Sequence, residues 1–159
     1  MSYLFLEKYY KNLKKKLNYN INNIIVLNLI LGNLNKKGKK SLSYFFLINI
    51  LFLLKKENKK QPFLELNLRI NYIKPSILLY NKRRGTIIFE LPRFLTIEQS
   101  TRKGIEWLIK ITKKRKKKML DNLLIELKNI VMKKGEVLKK KENIILIAEK
   151  NKPFFYLLK

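Results

Sequence analysis

The side chains of this chain with chemistry to offer are its cations, and their spacing suits them to hold phosphates. Of 159 residues, 37 are Lys or Arg against 11 Asp or Glu, a formal net charge of +26. They come in groups: Lys36, Lys37, Lys39 and Lys40; Lys82, Arg83 and Arg84; Lys113, Lys114, Arg115 and Lys116 in a cationic run that reaches Lys118; and Lys139, Lys140 and Lys141. Guanidinium groups can clasp phosphates bidentately and ammonium groups meet them as point charges; neither reads a base sequence by doing so. A compact body with so much charge of one sign repels itself. It is expected to bind a polyanion, either nucleic acid or an anionic membrane face.

Other chemistry lacks its groups. With no Cys and no His, a zinc site of the usual kinds, a thiol nucleophile and a Ser-His-Asp triad are excluded. A metal-dependent nuclease would need clustered carboxylates, whereas Asp121 and the glutamates are scattered. The five glycines stand singly, so no Gly-rich phosphate loop is present. The reading is therefore of a protein that is not an enzyme and takes no cofactor. Abundant Lys, Asn, Ile and Leu, with Ala148 as the single alanine, points to coding under strong A+T bias and hence to an organelle genome.

The groups need a scaffold. At this length one domain and one core are expected. Ile24 to Leu34 is an apolar run ended by lysines and Gly38, a helix stop, and Ser41 can cap a second helix to about Leu54 that is apolar nearly all round. That run is shorter than the ~20 apolar residues a bilayer span requires, so a central core helix is expected. Pro62 suits a helix start, yet Leu64 to Tyr72 alternates strictly as a strand would, while Phe63, Leu66, Ile70 and Ile73 also share one helix face. Two runs rich in Ile, Leu, Tyr and Phe, fenced by Pro75 and Pro92, form a β-hairpin over residues 75–95. Asn81 and Gly85 suit its bend, which puts Lys82, Arg83 and Arg84 at the tip. Ile77, Leu79, Ile87 and Phe89 are expected on its inner face.

Thr96 and Gln99 make a capping box for a helix whose apolar face carries Ile97, Ile105, Leu108, Ile109 and Ile111, with Trp107 in the core. A fifth helix follows from about Met119, with Leu120, Leu123, Leu124, Leu127 and Val131 as its stripe and Gly135 as its stop. A sixth is expected from about Lys141 to Lys150, ahead of Pro153. Residues 1–23 are expected to form a basic arm, to lie on RNA or to serve as a matrix-targeting peptide, and residues 24–159 a single helical domain that carries the hairpin and the polyanion-binding cations.

Gly38-Lys39-Lys40-Ser41, the hairpin with Pro75, Arg84, Gly85, Phe89 and Pro92, and above all Lys134-Gly135, Lys139 to Glu142, Ala148-Glu149, Asn151-Lys152 and Phe154 resemble the small-subunit ribosomal protein seven family over roughly residues 24–155. The chain departs from the family pattern at Gly85-Thr86, where two glycines are usual, and at Glu106, where an arginine precedes the tryptophan. The resemblance settles Leu64 to Tyr72 as helix and implies a mainly α fold, a bundle of about six helices with a protruding β-hairpin arm. It implies a structural constituent of the ribosome that binds the three-prime major domain of small-subunit rRNA and organises head assembly. Its partners would be that rRNA, neighbouring small-subunit proteins including the platform protein of the eleven family, and exit-site tRNA and mRNA beside the hairpin. Arg93, Arg102 and Lys152 join the grouped cations as expected RNA contacts. The expected place is the mitochondrial matrix, within the mitochondrial ribosome, or the plastid. The competing reading is an organelle membrane-associated basic helical protein using Ile24 to Leu34 and Leu42 to Leu54 as paired apolar helices.

Overall fold

The computed structural model describes residues 21–35, 37–57, 61–116 and 118–154, and for 21–24 and 57 the backbone alone. The N-terminal arm up to residue 20, Lys36 and Lys117 lie outside the described residues. The described elements are α1 (Ile21–Leu34), α2 (Lys40–Glu57), α3 (Pro62–Ile73), β1 (Ile77–Arg84), β2 (Ile87–Phe94), α4 (Ile97–Lys114), α5 (Met119–Val131) and α6 (Glu136–Lys150). The fold is thus mainly helical with one antiparallel hairpin, as expected.

One core joins the helices. Leu27 and Ile30 of α1, Leu47 and Leu54 of α2, Ile70 and Ile73 of α3, Ile105 and Leu108 of α4, Leu127 and Ile130 of α5 and Val137 of α6 pack into a single apolar cluster. The centre is shared by α3, which touches all five other helices, and α4, which touches α1, α3, α5 and α6. The sequence suggested α2 for that place, but α2 lies at the side with Leu42, Phe45 and Phe52 exposed. Among the described residues no helix is long and apolar enough to cross a membrane.

Helix ends follow local chemistry in part. The Thr96 hydroxyl accepts from the Gln99 amide, and the Gln99 side chain accepts from the Thr96 amide, closing the capping box. Ile97, assigned above to the apolar face, is 81% exposed because it occupies the first turn, where no element packs over it. Ser41 does not cap α2, which begins one residue earlier at Lys40. Gly135 does not end α5 either. Lys133 takes the left-handed conformation (φ +54°), with Lys133 N donating to Ile130 O and Lys134 N to Asn129 O, the paired bonds of a Schellman ending. Gly135 (φ +117°) instead precedes α6, which starts at Glu136 rather than near Lys141 because Val137 is fully buried. On α5, Ile130 takes the buried position expected of Val131, which is exposed.

The hairpin closes on a two-residue turn, since Arg84 pairs with Ile87. Gly85 supplies the positive φ (+60°) that the first turn position of a type II′ hairpin demands. Asn81 is therefore not in the bend, and Lys82, Arg83 and Arg84 are the last residues of β1. The register also corrects the inner face. Leu79 lies opposite Pro92 and Ile77 opposite Phe94, whereas Phe89 lies opposite Lys82 and Ile87 opposite Arg84, so the four expected residues fall on two different faces.

Candidate nucleic-acid interface

The loop between α4 and α5 carries the densest charge, and its backbone is held from below. Buried Asn122 donates through Nδ2 to the carbonyls of Thr112 and Arg115 at 3.3 and 3.4 Å, satisfying acceptors that the end of α4 leaves over. Lys113 donates to the Asn33 carbonyl in the last turn of α1 at 3.1 Å. Arg115 turns inward, bonding the fully buried Glu126 carboxylate on α5 and, at 3.0 Å, Glu136 at the start of α6. The C-terminal end of α4 and the residue that follows it thus tie to the end of α1 and the start of α6. The lysines that flank those two points, Lys37, Lys39 and Lys40 on one side and Lys139 on the other, are exposed, as are Lys113, Lys114 and Lys116.

Glu126 is the anionic centre of this junction. Burial raises its carboxyl above the ordinary glutamate value; Arg115 opposes that rise, the Glu136 carboxylate adds to it, and the nearby Glu136 backbone amide opposes it again. The N-terminal end of α6, where Gly135 has no side chain to cap with, thus meets a carboxylate from another helix.

Lys139, Lys140 and Lys141 all sit inside α6, whose start precedes the expected one near Lys141. The Lys140 ammonium stands 4.9 Å from the centre of the Trp107 ring, over a side chain that is 5% exposed. Burial lowers its pKa below the usual lysine range, and Lys110, Lys114 and Lys103 push it further the same way while Glu106 opposes them. Lys141 donates to the Tyr72 carbonyl at 2.8 Å at the end of α3, and burial lowers its pKa too. Lys103 and Lys110 were missed in the sequence. The signal was there: positions 103, 106, 110 and 114 recur at helical spacing on one face of α4. Lys103 is paired with Glu106 at 2.8 Å.

The remaining cations are spread along the body. Arg102 is exposed on α4, Arg93 at the hairpin base and Lys152 just after α6. At the far end of β1, Arg83 and Arg84 are exposed and Lys82 is half-buried; Arg83 donates to the Gly85 carbonyl of its own turn at 3.0 Å. Because α4 is 18 residues long, the hairpin base and the α4–α5 loop lie about 27 Å apart. Among the described residues, basic groups thus lie at both ends of α4, with Lys103, Lys110 and Lys140 between them. Among the described residues no group of His, Asp or Glu could hold a metal.

Comparison with known proteins gives a consistent answer. The family model of ribosomal protein S7p/S5e matches residues 6–152. That match begins well before residue 24 and takes in part of the N-terminal segment that the motif resemblance left out. The chain is 29% identical over 133 residues to small ribosomal subunit protein uS7 of Pelagibacter ubique, covering 83% of this chain and 85% of the relative. It is 29% identical to the uS7 protein of Rickettsia akari and 30% identical to that of Syntrophus aciditrophicus, each over 83% of this chain and 83% and 85% of the relative.

Proposed function

The chain belongs to the family of ribosomal protein S7p/S5e, structural constituents of the small ribosomal subunit, and from that premise we propose that it binds the three-prime major domain of the small-subunit rRNA and organises assembly of the subunit head. The observation that carries this reading is the double tie at the C-terminal end of α4, Lys113 of its last turn to Asn33 and its C-cap Arg115 to Glu136. It gathers cations from three stretches of sequence at one end of the bundle. Exposed lysines there contact phosphates, which fixes position without reading sequence.

The hairpin, at the other end, presents Arg83 and Arg84 toward exit-site tRNA and mRNA, close to the platform protein of the eleven family. The host compartment is the mitochondrion, or the plastid. Support comes from the A+T-biased composition and from the alphaproteobacterial relatives, which suit an organelle origin.

Fractionation of lysed organelles tests the reading. The chain should run with the small-subunit peak and leave it in high salt without detergent. A chain that stays with membranes until detergent is added would instead support the membrane-associated alternative.

A further inference from the structure

The arm is held at its middle as well as at its root. At the root, Ser100 Oγ donates to the Pro75 carbonyl at 2.7 Å and Leu95 N donates to the Ser76 carbonyl at 3.1 Å. Further out, just past the end of α6, Asn151 Nδ2 donates to the Glu90 carbonyl at 2.8 Å, and the Phe154 ring lies 5.2 Å from the Phe89 ring, centre to centre. The turn that carries both is itself fixed, because Asn151 N bonds Ile147 O and Phe154 N bonds Asn151 O. Between root and clasp, Leu91 and Pro92 are buried.

A two-stranded ribbon standing alone is marginal in water. Measured from Phe94 the ribbon reaches roughly 26 Å to its turn, and from Glu90 roughly 13 Å remains, at about 3.3 Å per residue. An amide bond and a ring contact at that point also oppose the two motions a ribbon makes easily, sliding along α6 and swinging away from it.

We infer that Asn151 and Phe154 are positioning residues for the β-arm: they clasp β2 at Glu90 and Phe89 and set the direction in which Arg83 and Arg84 are presented. This rests on the proposed use of the arm, and the experiment separates the two. Hydrogen exchange in the free protein would be compared among the parent, Asn151→Ala with Phe154→Ala, and the ring-preserving Phe154→Tyr. Amides of residues 81–90 should exchange about tenfold faster in the double variant, with those of α4 unchanged, and near parental rates should persist in Phe154→Tyr. Arm exchange that is unchanged in the double variant overturns the clasp.

In assembled subunits, a photo-reactive residue at position 86 should crosslink RNA in the parent and lose about tenfold of that yield in the double variant. Undiminished yield with a loosened arm overturns the positioning role. No crosslink to RNA even in the parent overturns the proposed use of the arm, and leaves the clasp to stand on exchange alone.

Discussion

Lys140 of α6 covers the ring of Trp107 on α4, so a cation and an indole that the sequence assigned to RNA contact and to core meet at one place. The lysine stem closes the edge of the core while its ammonium faces the lysines of α4. Trp107→Ala removes both the buried indole and that platform, and should destabilise the protein by about 3 to 5 kcal/mol. Thermal or urea unfolding checks this, and an unchanged midpoint would place the indole outside the core.

Gly135 cannot accept a side chain without cost. It holds φ +117°, and an added Cβ would lie 2.8 Å from Glu126 Oε2. Gly135→Ala should therefore lose on the order of 1 to 2 kcal/mol or more, strain and crowding acting together. Urea unfolding at fixed pH measures it, and a midpoint equal to the parent's would show that the junction gives way freely.

Glu126 should leave a signature in pH. Its folded pKa is raised above 4.5, mainly by burial, so in the window from 4.5 up to that raised value the folded chain holds more protons than the unfolded one. Stability from this group is fully present below that window and is lost as pH rises through it. In Glu126→Gln the contribution cannot titrate. The stability of the parent minus that of the variant should therefore fall as pH rises from about 4 to about 8. A flat difference in urea midpoints across that range would remove Glu126 as the titrating group.

The arm and the body should divide the labour. Lys82→Ala, Arg83→Ala and Arg84→Ala together leave the α4–α5 junction untouched, so the triple variant should still enter subunits while holding exit-site tRNA more weakly. Subunit occupancy and tRNA retention, measured side by side, check this. Failure to assemble would make the end of the arm an rRNA anchor.

What the sequence revealed was what local chemistry decides. The Thr96–Gln99 box needs only four residues and forms as read. In α3 the alternation was produced by Leu64 and Leu68, which face solvent, while Phe63, Leu66, Ile70 and Ile73 form the buried stripe; local period misled because surface leucines are common in this chain. The start of α6 was hidden for a different reason. The helix begins at Glu136 because Val137 packs into the core against elements distant in sequence, and Lys139 to Lys141 follow it within α6. The same distance in sequence concealed the inward turn of Arg115 toward Glu126 and Glu136, whereas Lys103 and Lys110 were legible in the helical spacing along α4 but stand outside the consecutive cation groups.

The central claim is that the gathered lysines neutralise rRNA phosphates. It is tested most directly by binding of the full chain to a three-prime major domain RNA across a salt series. Each duplex phosphate neutralised lowers log affinity by about 0.9 per log unit of salt, so contacts from exposed Lys37, Lys39, Lys40, Lys114, Lys116 and Lys139 predict a slope of about −5. A slope shallower than about −2 would mean that this charge is merely solvated, and would contradict the account.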